Sequence, residues 1–173
     1  MTTFIEGGVT AAKGFQAAGV HCGIRKNRAK KDLGLIVSDR PASAAAVYTR
    51  NLVKGAPLTV TQAHIADGRA RAIVCNSGIA NTCAFDGIEK AEAMCALTAE
   101  ALGIDAADVV VASTGVIGPS IDIAPIAAGL PRLAAALSAQ GSADAAEAIM
   151  TTDTRKKEFA VTFQADGRTC TLG

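Results

Sequence analysis

Thr114 and Gly115 provide the pair of hydrogen-bond donors in this sequence that best fits a catalytic role. They lie in the stretch 108–120, where three valines predict a buried strand, and two glycines with a proline predict a tight turn after it. Gly115 has no side chain to block approach to its backbone N–H, and Thr114 adds a hydroxyl donor, so the pair could hold a developing oxyanion. Ser-Thr-Gly is also common in ordinary turns, and local chemistry alone favours that simpler interpretation.

A second junction of this kind follows a predicted short strand at 70–75. The residues after it, 76–83, are small or polar, so their backbone can approach a ligand closely. Asn76, Ser77 and Asn81 offer neutral hydrogen bonds there. An ordinary loop that leads into a helix explains the same residues.

Hydroxyl groups also cluster at 151–154, where three threonines and a carboxylate follow a predicted helix. Such a cluster could orient a polar substrate, although residues of this composition more often cap a helix and turn the chain. Isolated Lys13, His21 and His64 receive no catalytic role, because such groups are usually structural or exposed. For His64 we expect a position at the surface or at a helix cap.

Four helices and several short strands are predicted to position these junctions. The helices are expected at 57–65, 88–102, 122–137 and 142–150. Gly103 is placed to end the second helix, Pro131 is expected to break or restart the third, and Ser142 is expected to cap the fourth.

The remaining apolar runs predict strands. Short strands and turns are expected within 7–24, an antiparallel pair at 32–38 and 42–49, and a hairpin at 159–163 and 169–172 around Asp166-Gly167. The last strand would leave an unpaired edge where the sequence stops. We therefore expect the 173 residues to belong to a longer chain.

Composition excludes several classes of function. Half of the residues are apolar, and 17 Lys and Arg against 16 Asp and Glu give a net charge of +1, which predicts one domain that binds neither nucleic acid nor an acidic membrane. We expect no membrane span and no secretion signal, and therefore a cytoplasmic location. The five scattered cysteines support neither disulfides nor a zinc site. The basic run 25–31 is interpreted as a solvated loop, although it could touch an anionic ligand.

Five motifs in order resemble one known family. They are Gly8–Phe15, Asp32–Ala42, Asn76–Asn81, Ser113–Gly118 and Met150–Thr154. Their order and approximate spacing across nearly the whole chain are similar to those of the ornithine acetyltransferase (glutamate N-acetyltransferase) family of arginine biosynthesis. One departure is Ile79, where that family leads us to expect an asparagine.

The resemblance implies a fold, a partner and site residues. The fold would be a mixed α/β layered sandwich with helices packed on central sheets, and residues 1–173 would form the α-chain domain of a self-cleaved precursor. The nucleophile would be the N-terminal threonine of the β chain, which lies beyond Gly173. Thr114 and Gly115 would form the oxyanion hole, and Thr151, with Thr154 as the alternative, would bind substrate.

The implied reaction moves an acetyl group from N2-acetylornithine to glutamate through an acetyl-threonine on the β chain. We expect an α2β2 heterotetramer without a metal or cofactor, and the sequence leaves open whether acetyl-CoA also serves as a donor. Two alternatives remain. One is a related self-processing amidohydrolase or aminopeptidase, and the other is a non-catalytic small-molecule-binding domain in which Ser-Thr-Gly is merely a turn.

Overall fold

The computed structural model describes residues 2–173. Its strands are β1 (Thr2–Ile5), β2 (Phe15–Val20), β3 (Leu33–Ser43), β4 (Arg69–Ile79), β5 (Val109–Val116), β6 (Ala160–Ala165) and β7 (Arg168–Leu172). Its α-helices are α1 (Ala56–His64), α2 (Gly87–Leu102), α3 (Ala124–Ala135) and α4 (Ser142–Ala148). No helix within residues 2–173 is both long enough and apolar enough to cross a membrane.

The strands form two sheets. The larger sheet has the order β2-β3-β4-β5, in which β2, β3 and β4 run antiparallel and the last pair, β4 and β5, runs parallel. The smaller sheet has the order β1-β6-β7. Because β4 and β5 are parallel, their carboxyl ends meet at one corner of the larger sheet, and both predicted polar junctions lie at that corner.

The main core lies between one face of the larger sheet and helices α1, α2 and α3. Leu35, Val74 and Val111 from the sheet are buried with Met94 and Leu133 from the helices. These apolar residues alternate along each strand, as expected for a sheet with one face in the core. The sheet and its helices form the mixed α/β layered architecture that was predicted.

Helix α4 packs on the opposite face of this sheet. It can do so because glycines replace side chains on β2 and β3: a Cβ on Gly19 would lie 2.1 Å from the Asp144 carbonyl oxygen, and one on Gly34 would lie 3.3 Å from the Ala148 Cβ. The close approach leaves α4 directly above the sheet and carries the chain toward the segment 150–154.

Local signals predicted several elements correctly. Helix α2 ends at Gly103, which caps it with a left-handed φ of 66°. Helix α1 begins with proline in its first turn. The β6–β7 hairpin turns at Asp166 and Gly167, whose φ angles of 48° and 73° suit a two-residue turn.

Three predictions about elements were wrong. The predicted pair at 32–38 and 42–49 is replaced by one strand, β3, which has an irregularity between Val37 and Ala42 that accommodates the proline, and residues 44–49 form no strand. Pro131 lies inside α3, which continues because Leu130 and Leu133 beside it are anchored in the core. Ser142 does not cap α4, because its hydroxyl donates to Glu158 instead.

Candidate functional site

Thr114 and Gly115 belong to strand β5, not to a turn after it. The parallel pairing with β4 places Ser77 opposite Thr114 and Gly78 opposite Gly115, and it continues to Val116. Both strands were therefore predicted too short. The chain leaves the sheet only after Val116, because up to that residue each strand supplies the other with backbone partners.

The paired glycines Gly115 and Gly78 have backbones that only glycine adopts easily. Their φ angles are 134° and 113°. A Cβ on Gly115 would stand 2.3 Å from both the carbonyl carbon and oxygen of Gly78, and 2.7 Å from the Ile79 nitrogen. The two strand ends can approach this closely only because Gly115 has no side chain, whereas a Cβ on Gly78 would point at Ile24 and Arg25 instead.

The N–H of Gly115 points away from the sheet. β5 is an edge strand, and successive residues of a strand direct their N–H groups to opposite sides. The Val111 N–H points to the outer side, where it donates to the Thr61 hydroxyl at 3.3 Å. On the inner side, the carbonyl of Val116 accepts from the Ala80 N–H at 2.8 Å. Gly115 shares the outer direction of Val111, so its N–H faces the open edge.

The side chain of Thr114 lies on the sheet face opposite to helices α1, α2 and α3. Val109 and Val111 point into the core, so Thr114 points to the other side together with its neighbour Ser77. Ser77 is fully buried, and its hydroxyl oxygen has no hydrogen-bond partner among residues 2–173. A hydroxyl pair therefore occupies this corner of the sheet, next to the outward N–H of Gly115.

A buried carboxylate, Asp32, organises the loop beside this corner. It is 0% exposed and accepts hydrogen bonds from the backbone N–H groups of Cys22, Gly23 and Arg25 at 2.6, 3.2 and 2.9 Å. Its own carbonyl accepts from the Ser77 N–H at 2.9 Å. One residue thus fixes the loop 22–25 against the end of β4.

The side chain of Arg25 connects this loop to the predicted substrate segment. Its guanidinium Nη2 donates to the carbonyl of Met150, the residue before Thr151. Its stem lies over Gly78, where an added Cβ would be 3.3 Å from the Arg25 Cγ. The prediction of a solvated loop fits the exposed middle of the run 25–31, but Arg25 itself is half-buried and bonded.

The structure separates Thr151 from Thr154. Thr151 is half-buried, and its N–H donates to Asp153 Oδ2 at 3.3 Å. Lys157 pairs with the other carboxylate oxygen of Asp153 and, with the Thr151 N–H, lowers the pKa of that carboxyl below its ordinary value. Thr154 is exposed. Of the two threonines, Thr151 is therefore the one that the chain holds in place near Arg25.

Other polar residues of the junctions have structural partners. The Asn76 side-chain amide donates to the Ile79 carbonyl, and the Asn81 amide donates to the Gly87 carbonyl, both at 2.9 Å. Ile79 packs against the core. His64 lies at a helix end, one of its two predicted positions: it is the last residue of α1, and its ring nitrogens lie 2.8 Å from the Val109 carbonyl oxygen and 3.2 Å from Glu92 Oε2.

An apolar cavity of about 340 Å³ opens on the same face of the larger sheet as Thr114, beside helix α4. It is lined by Ile36 and Ile73 from the sheet and by Ile149, Phe159 and Leu172. Phe159 and Leu172 are 66% and 60% exposed. None of the four predicted site residues is among the residues of 2–173 that line it. The cavity is thus an uncovered apolar surface rather than the site itself.

Three of the five cysteines, Cys22, Cys75 and Cys95, carry thiols that are not reactive. Burial raises the pKa of the Cys22, Cys75 and Cys95 thiols to about 12, which keeps them protonated and unreactive. Within residues 2–173, no group of three or more His, Cys, Asp or Glu side chains is arranged to hold a metal ion.

The model of the ArgJ family matches residues 16–173 of this sequence. The chain belongs to the ArgJ family. It is 49% identical over 172 residues to the arginine biosynthesis bifunctional protein ArgJ of Symbiobacterium thermophilum, and 44% identical over 171 residues to that of Bacillus subtilis. Each alignment covers 98% of this chain. The resemblance inferred from the five motifs is thereby confirmed.

Solved structures agree with the family assignment and with the fold. The model superposes with a TM-score of 0.91 on the ArgJ crystal structure from Bacillus halodurans, at 42% identity. The TM-score is 0.90, at 37% identity, for the Mycobacterium tuberculosis ornithine acetyltransferase complexed with ornithine. Each alignment covers 99% of this chain, and 91% and 93% of the respective matched chains.

The chain spans only about two fifths of the length of its curated ArgJ-family relatives. The aligned share is 43% of the Symbiobacterium protein and 41% of the Bacillus subtilis protein. The matched chains in the two crystal structures are, by contrast, covered almost completely.

Arg25, Asp32 and the Ser77–Thr114 pairing were not predicted as parts of the site. Asp32 carried a weak signal, since a carboxylate directly before an apolar strand needs hydrogen-bond donors when it is buried. Arg25 carried none, because its partner lies 125 positions later in the sequence.

Proposed function

We propose that this chain is the α part of an acetyltransferase that moves the acetyl group of N2-acetylornithine to glutamate. Membership of the ArgJ family supports this proposal, because the relatives are arginine biosynthesis proteins and one structural neighbour is an ornithine acetyltransferase with ornithine bound. The single observation that carries the proposal within this chain is the outward N–H of Gly115 beside the Thr114 hydroxyl.

Thr114 and Gly115 would stabilise the oxyanion. When a nucleophile attacks the acetyl carbonyl, negative charge develops on its oxygen, and fixed donors lower the energy of that state. The Thr114 hydroxyl and the Gly115 N–H lie on adjacent residues of an edge strand whose geometry is fixed by the glycine pair. Such donors need no reorganisation at the moment of reaction, which makes them suited to this role.

The nucleophile would come from the β chain. Its N-terminal threonine hydroxyl attacks the acetyl carbonyl, its own α-amine accepts the hydroxyl proton, and ornithine leaves as the free amine. The amine of glutamate then attacks the acetyl ester, and the threonine hydroxyl is restored. The chain lengths support a two-chain protein, since solved family chains match this one in length whereas curated sequences are more than twice as long.

The open apolar cavity supports a partner chain. Ile73, Phe159 and Leu172 expose apolar area that a single folded chain would ordinarily bury. We propose that the β chain covers this surface and that two such pairs form an α2β2 heterotetramer in the cytoplasm. We also propose acetyl-CoA as a second acetyl donor, without any bound cofactor; the relatives are named as bifunctional proteins.

The test is to express the complete reading frame and to combine intact-mass measurement with an assay of acetyl transfer. We expect two co-purifying chains, the second of which begins with threonine, and acetylglutamate formed from N2-acetylornithine. Free acetate with little acetylglutamate would instead identify a hydrolase of the same kind. A single uncleaved chain without turnover would contradict the proposal and favour a binding domain.

A further inference from the structure

We propose that Arg25 is a positioning residue, which holds the peptide group between Met150 and Thr151 in a fixed place relative to the strand ends that carry Thr114 and Gly115. The proposed function enters only through the kinetic part of the test. The inference itself rests on contacts within this chain.

A hydrogen bond to the buried carboxylate of Asp32 fixes the backbone of Arg25. Its N–H is one of the three that donate to the buried carboxylate of Asp32, at 2.9 Å. A carboxylate without solvent contact needs several donors, and hydrogen bonds to a charged acceptor are stronger than neutral ones. The loop is also tied to β4, because the Asp32 carbonyl accepts from the Ser77 N–H. The base of the Arg25 side chain is therefore tied to the end of β4.

Packing on Gly78 fixes the aliphatic part of the Arg25 side chain. Gly78 leaves the space that the stem occupies: an added Cβ there would be 3.0 Å from Ile24 Cγ2 and 3.3 Å from Arg25 Cγ. Gly78 in turn lies in register with Gly115. The Arg25 stem thus packs on Gly78, the residue paired with Gly115 in the sheet.

The Arg25 guanidinium donates a hydrogen bond to a peptide carbonyl just beyond the end of helix α4. α4 ends at Ala148, and the Met150 carbonyl accepts from Arg25 Nη2. The carbonyl of Met150 and the N–H of Thr151 belong to one planar peptide unit. By holding the carbonyl, Arg25 therefore also orients the Thr151 N–H, which donates to Asp153. The result is one continuous connection from Asp32 through Arg25 to Thr151.

The rest of the basic run provides a matched comparison. Lys26, Arg28 and Lys30 are exposed, whereas Arg25 is half-buried. A general effect of positive charge would be shared by Arg28, which lies three residues away on the same loop. A positioning effect would be confined to Arg25.

The experiment compares Arg25→Met, Arg25→Lys and Arg28→Met in the complete processed protein. Two quantities are measured: hydrogen–deuterium exchange of the amides at 151–154, and the KM and kcat for N2-acetylornithine. For Arg25→Met we expect exchange about tenfold faster and KM about tenfold higher, as for the loss of one charge-assisted hydrogen bond. The kcat and the yield of cleaved protein should stay within about threefold of wild type. Arg25→Lys, which keeps one charged donor, should recover most of both effects, and Arg28→Met should resemble wild type.

The outcomes separate this inference from the proposed function. If Arg25→Met leaves exchange at 151–154 and KM within twofold of wild type, Arg25 does not position Thr151. A fall in yield without a change in KM would assign Arg25 to stability alone, and a fall in kcat without a change in KM would place its effect on transition-state stabilisation; either result overturns the inference. If the wild-type protein transfers no acetyl group, the exchange measurement still decides the inference. If Arg25→Met does not fold, Arg25→Gln takes its place, because its side chain stays polar but is too short and uncharged to act as the charged donor to Met150; exchange at 151–154 should again be about tenfold faster than in wild type, and exchange within twofold of wild type overturns the inference.

Discussion

Gly115 lies so close to Gly78 on the neighbouring parallel strand that an added Cβ would stand 2.3 Å from the Gly78 carbonyl carbon and oxygen. Backbone atoms of a paired strand cannot move aside as a flexible side chain can. The outward direction of the Gly115 N–H, on which the proposed oxyanion hole depends, is therefore tied to the absence of a side chain at Gly115.

Gly115→Ala should destabilise the protein more than Gly118→Ala. Both glycines have positive φ angles, 134° and 106°, but a Cβ on Gly118 would meet no atom within 4 Å. Gly118→Ala should therefore cost only the conformational strain, about 1–3 kcal/mol, whereas Gly115→Ala adds the clash with Gly78. Denaturant unfolding of both variants in the complete protein measures the difference. Equal losses of stability would contradict the close packing.

Thr114→Ala should lower kcat about 10²–10³-fold, because it removes one donor to the oxyanion. Thr114→Ser keeps a hydroxyl and should retain most of the activity. Thr59→Ala, which removes an exposed threonine hydroxyl on α1, serves as the control for hydroxyl loss in general. Steady-state kinetics and thermal unfolding should be measured together. Unchanged turnover in a folded Thr114→Ala protein would contradict the oxyanion role and make Ser-Thr-Gly an ordinary strand end.

The parts of this fold that the sequence predicts are those set by residues close in the chain. Helix α2 has its apolar period and its glycine stop within 17 residues, Gly87–Gly103, and the β6–β7 hairpin has its turn residues directly between its strands. Two strands were predicted in the region of β3 because a proline usually ends a strand. Pairing with β4 on both sides of the irregularity overrides that local signal.

The difference between local and long-range contacts also explains which site residues the sequence predicted and which it did not. Thr114 and Gly115 were identified because their chemistry is local: a hydroxyl beside an unobstructed N–H. The outward direction of that N–H follows only from the register with β4, and the contact between Arg25 and Met150 joins residues that sequence patterns treat as unrelated. Nothing in the sequence of a basic run shows which of its charged residues will be half-buried and hydrogen-bonded.

Thr151→Ala should raise the KM for N2-acetylornithine about tenfold, whereas Thr154→Ala should leave it within twofold. Thr151 is half-buried and its backbone is bonded to Asp153, so its hydroxyl has a fixed position, while Thr154 is exposed. A lost hydrogen bond of ordinary strength corresponds to a change of about this size. Initial-rate kinetics with both substrates varied provide the measurement. A larger effect at Thr154 would assign substrate binding to that alternative residue.

Lys157→Met should raise the pKa of Asp153 toward its ordinary value of 3.8. The pKa is lowered in the folded protein mainly by the bond from Lys157, and next by the Thr151 N–H. Because the folded pKa is the lower one, the stability that this carboxylate contributes is present above the unfolded pKa and is lost as the pH falls through the folded value. The variant should therefore lose the Thr151–Asp153 bond at a higher pH than wild type. Carboxyl ¹³C titration of Asp153, together with exchange of the Thr151 amide, measures both effects. Lys156→Met, at the exposed neighbouring position, should leave the titration unchanged, and an equal shift in both variants would mean that net charge rather than the Lys157 contact sets the pKa.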